Sequence, residues 1–313
     1  MVSPKVYEVS GLLERFVRSM ASSIDPATYI EKLWKTEVYD WQREALDPGI
    51  KRLLLLCARQ SGKSTIVAGK AAHTAKYKPG SLIIIVSASE KQAKETMGKV
   101  EDFIAMDHDL QISGHDSESE KEFANGSRIL VLAGTVKSVK GYSRPSLIIL
   151  DEAAYIEDAT YFAIRPMLTG NPDAVVAILS TPWGKQGFFY RAWNEGTKWH
   201  KIFVRPPFTL QGNNKIIPYI RENTFRDNWA RRNVSAYFSP RHTLDHLEEE
   251  LEEIGAIWWR QEYECEFVDN INAVFATDDI DSAFTDDIKP LFADHEKKED
   301  EVEEMEFSNV SWG

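Results

Sequence analysis

Residues 57–65 read CARQSGKST, between the apolar run LLLL at 53–56 and the sequence IVA at 66–68. This order predicts a strand, a loop and a helix, which is the layout of a phosphate-binding P-loop. Such a loop needs backbone N–H groups around an anion, a lysine that reaches the outer phosphates and a hydroxyl that holds Mg²⁺. Gly62, Lys63 and Ser64 meet these needs. Nucleotide binding is therefore the first functional hypothesis.

The loop departs from the usual pattern at Cys57, which stands five residues before Gly62 where a glycine is expected. Taken alone, the stretch is also compatible with a polar turn from a strand into a helix, with Lys63 solvated at the start of the helix. The two interpretations are separated by a second motif.

That second motif is LIILDE at residues 147–152, four apolar residues followed by two acids. It is typical of a buried parallel strand whose carboxyl end carries functional groups. We expect Asp151 to bind the Mg²⁺ shell and Glu152 to polarise a water for attack on the γ-phosphate. Acidic pairs are common at strand ends. This pair, however, comes after Lys63 and Ser64 along the chain, which is the order of the two motifs in enzymes that hydrolyse ATP or GTP.

Composition agrees with a globular enzyme, since 43% of the 313 residues are hydrophobic and 27% are charged. No stretch is apolar enough to span a bilayer and the N-terminus does not read as a signal peptide, so we expect a cytosolic protein without membrane contact. Cys57 and Cys265 form neither a disulfide framework nor a metal-ligand spacing.

The net charge of −12 comes largely from acids between residues 278 and 306, which predict a solvated linker or tail. Basic residues are scattered. Their densest stretch, which is compatible with either a DNA contact or a solvated surface, contains Arg221, Arg226, Arg231, Arg232 and Arg241.

The apolar runs predict strands at 52–58, 81–87, 128–133, 147–150, 174–179 and 201–204, with helices in most of the gaps. This alternation predicts an α/β fold with a doubly wound, mostly parallel sheet. We divide the chain into a helical N-terminal segment (1–50), a P-loop core (51–205), a small helical lid (206–270) and an acidic linker or tail (271–313).

Two further motifs refine the hypothesis. Gln42 follows Trp41 shortly before the P-loop strand, and its amide can offer a donor and an acceptor to adenine, which favours ATP; a glutamine on a helix surface is the equal alternative. Ser180, Thr181 and Pro182 follow the strand at 174–179. Small hydroxyl residues at that place can sense the γ-phosphate, although a plain turn would read the same way.

Together with the segment 89–93, these motifs resemble the ATPase domain of the large terminase subunit, the genome-packaging motor of tailed bacteriophages. The resemblance runs through roughly residues 35–275. It implies an ASCE-type P-loop NTPase that assembles as a ring at the portal and drives double-stranded DNA into a procapsid. The portal protein and the small terminase subunit are the implied partners, in the cytoplasm of an infected bacterium; the isolated domain could be monomeric.

The resemblance also implies roles for individual residues. Glu152, Arg59 and Lys63 would be catalytic, and Ser64 and Asp151 would hold Mg²⁺. Ser180, Thr181 and Pro182 would couple hydrolysis to movement. The residues expected to bind ATP are Gln42, Arg59, Gln60, Ser61, Gly62, Lys63, Ser64 and Thr65.

A neighbouring subunit is expected to supply an arginine in trans, and the family often shows Arg-Gly shortly before the acidic strand. Here the dipeptide is Lys140-Gly141, with Arg144 four residues later. Lysine lacks the planar guanidinium fork, so Arg144 or Arg128 substitutes, or the trans contact of Lys140 is weaker.

Two other classes stay open. A superfamily 2 helicase-like translocase would share the motifs but needs a second motor domain, for which the chain after residue 201 is too short. A nucleotide-dependent assembly scaffold would not need Glu152. The large terminases usually continue into a nuclease domain; since the chain ends after its acidic stretch, we expect an ATPase without a nuclease.

Overall fold

The computed structural model describes residues 16–17, 19–212, 214–219, 229–230 and 232–268. The acidic stretch at 278–306 lies outside these residues. So do Arg221, Arg226 and Arg231, and residues 1–15 of the predicted helical N-terminal segment.

A nine-stranded sheet forms the centre of the described part of the chain. Its strands are β1 (Arg52–Cys57), β2 (Leu82–Ser87), β3 (Ile112–Asp116), β4 (Glu120–Phe123), β5 (Arg128–Ala133), β6 (Leu147–Asp151), β7 (Val175–Ser180), β8 (His200–Arg205) and β11 (Val234–Phe238). A separate antiparallel pair consists of β9 (Phe208–Leu210) and β10 (Ile216–Pro218).

The helices flank this sheet. They are α1 (Pro26–Trp34), α2 (Asp40–Leu46), α3 (Lys63–Tyr77), α4 (Glu90–Met106), α5 (Val136–Val139), α6 (Asp158–Ile164), α7 (Gly187–Asn194) and α8 (Leu244–Trp259). Short 3₁₀ turns occupy Ala153–Tyr155 and Arg165–Gly170, and a π-helical turn occupies Arg260–Glu264.

The strand order is β11-β8-β1-β7-β6-β2-β5-β4-β3. All pairs from β11 to β5 are parallel, and β4 and β3 extend the sheet as an antiparallel hairpin. Alternate residues of β1 enter two different cores, Leu53 and Leu55 on one face and Leu54 and Leu56 on the other. Burial on both faces explains why the strand reads as an unbroken apolar run. The predicted doubly wound sheet is confirmed.

The six predicted strands all form, but the segment after residue 205 differs from the prediction of a helical lid. β11 pairs in parallel with β8 and extends the core sheet. Its buried residues Val234 and Ala236 alternate with half-buried ones, a five-residue pattern too short to separate a strand from a helix. α8 supplies the predicted helix of this segment. The domain boundary at 205/206 stays a prediction.

The register brings three strand ends together. Leu56 of β1 lies opposite Ser180 of β7, and Leu179 of β7 lies opposite Asp151 of β6. The P-loop, the Ser180 motif and the acidic pair therefore leave neighbouring strands at the same carboxyl edge, where ligands bind in open α/β sheets.

Two glycines in helices, Gly69 and Gly98, differ in how closely neighbouring helices pack against them. A Cβ on Gly69 of α3 would lie 2.5 Å from Ile30 Cδ1 of α1 and 2.8 Å from Phe103 Cζ of α4, whereas a Cβ on Gly98 of α4 would meet no atom within 4 Å. We expect Gly69→Ala to destabilise the protein by about 1–3 kcal/mol through overpacking. Gly98→Ala should stabilise it by about 0.5–1 kcal/mol.

Chemical denaturation of both variants measures the two free energies of unfolding. Equal midpoints for Gly69→Ala and Gly98→Ala would contradict the three-helix contact described at Gly69.

Candidate nucleotide site

The P-loop turns sharply between β1 and α3. Gln60 and Gly62 both have left-handed backbone conformations, with φ of 57° and 93°. At Gly62 a side chain would be strained, and its Cβ would also lie 3.2 Å from the Arg241 guanidinium. Glycine is therefore required there, and α3 begins directly after it at Lys63.

Lys63 and Glu152 form the centre of the site. The Lys63 Nζ lies 3.0 Å from Glu152 Oε1, and the Lys63 side chain is only 7% exposed. Burial alone disfavours the lysine cation, but the negative charges of Glu152 and Asp151 outweigh it, and the pKa of Lys63 is raised. The second oxygen of Glu152, Oε2, is buried without a hydrogen-bond partner. Its lone pairs are available to a ligand or a water.

Ser64 and Asp151 are joined directly. The Ser64 Oγ donates to Asp151 Oδ1 over 3.2 Å, and the Thr96 Oγ1 of α4 donates to Asp151 Oδ2 over 3.2 Å. Burial first, and then the charge of Glu152, raise the pKa of Asp151.

This donor set fits Mg²⁺, which is commonly held by one or two protein oxygens together with substrate phosphates. Within the ranges described, three or more His, Cys, Asp or Glu side chains never cluster as a metal site. Ser64 and Asp151 can hold Mg²⁺ with phosphate oxygens as its further ligands.

The residues at 180–182 contact the loop that follows the acidic pair. The Ser180 Oγ accepts a hydrogen bond from the Ala154 N–H over 3.1 Å, and Thr181 hydrogen-bonds the Tyr155 hydroxyl. Ala154 and Tyr155 lie two and three residues after Glu152, so these hydrogen bonds join the strand end of β7 to the turn that follows the acidic pair. Pro182 comes next in the chain.

Arg59 contacts the chain on both sides of α8, at His242 before the helix and at Glu262 after it. Its N–H donates to Glu262 O over 2.9 Å, its carbonyl oxygen lies 2.7 Å from His242 Nε2, and its guanidinium lies 3.7 Å from the Glu262 carboxylate. The side chain is 63% exposed. The backbone of Arg59 is therefore fixed by hydrogen bonds, while its guanidinium is exposed to solvent.

A cavity of about 630 Å³ opens over the P-loop. Its lining contains the predicted Arg59, Gln60, Gly62, Lys63, Ser64, Thr65 and Glu152, together with Lys99 and Arg241. Ser61 of the P-loop is fully buried, and Asp151 is buried as well.

Lys99 and Arg241 were not predicted as site residues. Lys99 lies one helical turn after Thr96 on α4, so the two residues lie on the same face of the helix. The segment at 89–93 begins this helix, and following its face towards Lys99 would have predicted that residue. Arg241 lies between β11 and α8, far along the chain from the motifs. In the sequence it belongs to the densest basic stretch, which did not indicate a nucleotide contact.

Gln42 does not line this cavity. It is buried, and its Oε1 accepts the Tyr39 N–H over 2.9 Å, which caps α2. Its contact with adenine stays a prediction.

The three candidates for a trans-acting cation lie in different places. Arg128 begins β5 at the amino edge of the sheet, and its guanidinium forms an ion pair with Glu120. This ion pair occupies the guanidinium and argues against a trans contact of Arg128. Lys140 and Arg144 are exposed, and within the described part of the chain neither has a carboxylate within 4 Å.

Comparison with known proteins agrees with the motifs. The family model "Terminase large subunit, T4likevirus-type, N-terminal" matches residues 54–282. The large terminase ATPase domain of Thermus phage P74-26 superposes with a TM-score of 0.54 at 19% identity, covering 78% of this chain and 99% of that one. A sequence search of curated proteins found no match.

A large terminase from a thermophilic bacteriophage superposes with a TM-score of 0.50 at 9% identity, covering 73% of this chain and 52% of that one. A structure of the same terminase in complex with ATP-gamma-S has a TM-score of 0.48 at 8% identity, covering 73% and 51%. At these identities the structural matches show the fold. Among the helices described, not one has the length and apolarity needed to cross a membrane.

Proposed function

Because the chain belongs to the family of T4likevirus-type terminase large subunits, whose N-terminal model matches it, we propose that it hydrolyses ATP to drive double-stranded viral DNA into a procapsid. The observation that carries the proposal is that Lys63, Ser64 and Glu152 line one cavity at the carboxyl edge of the sheet. Asp151, buried behind it, accepts a hydrogen bond from Ser64. Membership of this family favours ATP over GTP as the nucleotide.

Binding of ATP starts with an exchange of partners at Lys63. The ammonium group now lies 3.0 Å from Glu152, and the terminal phosphates compete with that carboxylate for it. Once Lys63 turns to the phosphates, Glu152 is free to accept a proton from an attacking water.

Ser64 and Asp151 would hold Mg²⁺, which neutralises charge on the β- and γ-phosphate oxygens when it is bound. Thr96 orients Asp151 through its hydrogen bond to Oδ2. Ser180 and Thr181, bonded to the residues after Glu152, would pass the loss of the γ-phosphate to β7.

Arg59 and Arg241 supply further positive charge. Arg59 acts on the nucleotide of its own chain, once its guanidinium has left the Glu262 carboxylate and turned to the phosphate. Arg241 reaches the cavity from the connection between β11 and α8, and it has no carboxylate within 4 Å among the residues described. It is therefore available to phosphate oxygens without losing a partner.

We expect Arg241→Ala to weaken ATP binding about tenfold to a hundredfold, because a hydrogen bond to a charged group contributes about 1.5–3 kcal/mol. Titration with a fluorescent ATP analogue measures the dissociation constants. Arg232→Ala is the matched control, since Arg232 stacks on Trp229 and does not line the cavity. Equal loss of affinity in both variants would remove Arg241 from the site.

Family membership supports a proposal for the assembly around the motor. We propose a ring of subunits on the portal protein, with the small terminase subunit and double-stranded DNA as further partners, in the cytoplasm of an infected bacterium. The helicase-like alternative has no favouring observation, because every parallel strand in the described ranges belongs to one sheet.

A further inference from the structure

A second cavity, of about 640 Å³, opens at the amino edge of the sheet, away from the P-loop. Arg52 at the start of β1 and Arg165 at the start of a 3₁₀ turn both line it, with Lys198 just before β8. β1 runs for six residues between this edge and the P-loop, about 20 Å at the rise of a strand. The cavity is therefore separate from the nucleotide site.

The positive charges of this cavity have no ion-pair partner among the described residues. In the part of the chain that the structure describes, no carboxylate lies within 4 Å of the charged groups of Arg52, Arg165 or Lys198. Burial and then the positive charge of Arg165 lower the pKa of Arg52. Two guanidiniums thus share one cavity in a protein whose net charge is −12.

Hydrogen bonds to the protein hold both guanidiniums in place and leave some of their N–H donors unused. The Arg52 Nη1 donates to Ala174 O over 3.0 Å and to Lys51 O over 3.3 Å. The Arg165 Nη1 donates to the Tyr161 hydroxyl over 3.3 Å, and its guanidinium lies 5.9 Å from the centre of the Tyr161 ring. Since a guanidinium carries five N–H donors, each side chain keeps donors beyond those the protein uses.

The remaining lining includes the hydroxyl residues Thr169 and Thr197 and one acid, Glu195. Planar guanidinium groups match the paired oxygens of phosphate, and hydroxyls and an ammonium complete such a site. Glu195 opposes an anion and reduces its affinity.

We propose that this cavity binds a phosphate group through Arg52, Arg165 and Lys198. The phosphate comes either from the backbone of double-stranded DNA, an option that rests on the proposed function, or from a free anion in solution. The two sources share the chemistry but differ in their response to competitors and salt.

The test uses the double variant Arg165→Gln/Lys198→Gln, both of whose sites are exposed, and Glu195→Gln as a variant of opposite effect. Lys94→Ala is the matched control, because Lys94 is exposed and paired with Glu118 over 2.7 Å on another part of the surface. Fluorescence anisotropy with a short labelled duplex at several salt concentrations measures DNA affinity. Calorimetry with inorganic phosphate measures the free anion.

If DNA is the source, the double variant binds the duplex about tenfold more weakly at low salt. Its affinity also depends less on salt, because the negative slope of log K against log salt decreases in magnitude by about 1–2. Glu195→Gln binds it more tightly and Lys94→Ala is unchanged. If a free anion is the source, phosphate binding is lost in the double variant and duplex binding is retained. Unchanged binding of both ligands in the double variant overturns the proposal.

Thermal melting of each variant identifies losses caused by unfolding, in which case the single variant Arg165→Gln replaces the double one. ATP affinity is measured on the same samples. Because it reports on the opposite edge of the sheet, failure of the phosphate cavity and failure of the proposed ATPase function are read separately.

Discussion

Glu152→Gln should lower the turnover number for ATP about 10²–10⁴-fold, because the amide cannot accept a proton from the attacking water. The same substitution leaves ATP binding intact or tightens it. Lys63 loses the carboxylate that holds it at 3.0 Å and is free to turn to the phosphates. A large fall in turnover with retained affinity is the signature of a base that acts after binding.

Glu157→Gln is the matched control, an exposed acid five residues further on, outside the cavity. Release of phosphate and binding of a fluorescent nucleotide are measured for both variants, with DNA present. If the parent turns over no faster than Glu152→Gln, the chain behaves as the nucleotide-dependent scaffold and the motor proposal fails.

Arg144→Ala should lower the rate about 10³–10⁵-fold where subunits associate, the range known for an arginine that neutralises a transferring phosphoryl group. Arg144 precedes β6 at the amino edge of the sheet, whereas its own P-loop lies at the carboxyl edge. A nucleotide that Arg144 contacts would therefore be that of a neighbouring subunit, which is the proposal that this variant tests. The parent rate per subunit should therefore rise with protein concentration, and Arg144→Ala should remove the rise.

Three variants identify the cation. Arg144→Lys should restore little activity, since an ammonium lacks the planar fork. Lys140→Ala tests the lysine that stands where the family often has arginine. Arg59→Ala should lower the rate at every concentration, because Arg59 lines the cavity of its own chain. A rate that is independent of concentration and lost only in Arg59→Ala would assign the whole site to one chain.

The sequence predicted those parts of the fold and site that depend on local pattern. The strands that enter both cores read as unbroken apolar runs, and Gly62, Lys63, Ser64, Asp151 and Glu152 each have a residue type that their chemistry requires. Their meeting at one edge follows from the parallel arrangement of the strands.

Features that depend on tertiary contacts could not be predicted in this way. β11 is a strand because β8 offers it an edge, and its five residues alone do not define one. Arg241 enters the nucleotide cavity because β11, far along the chain from the P-loop, pairs with β8 and places the connection to α8 beside that loop. Arg128 is a residue whose type was suitable for a trans contact but whose surroundings were not predictable. Its position at the start of β5 places its guanidinium in an ion pair with Glu120 of β4.

The most direct test of the central claim is the steady-state release of phosphate from Mg·ATP by the unmodified chain, measured against protein concentration with and without double-stranded DNA. We expect a rate per subunit that rises with concentration and falls to background in Glu152→Gln. A parent rate equal to that of Glu152→Gln at every concentration, with DNA present, would contradict the proposal that this site hydrolyses ATP.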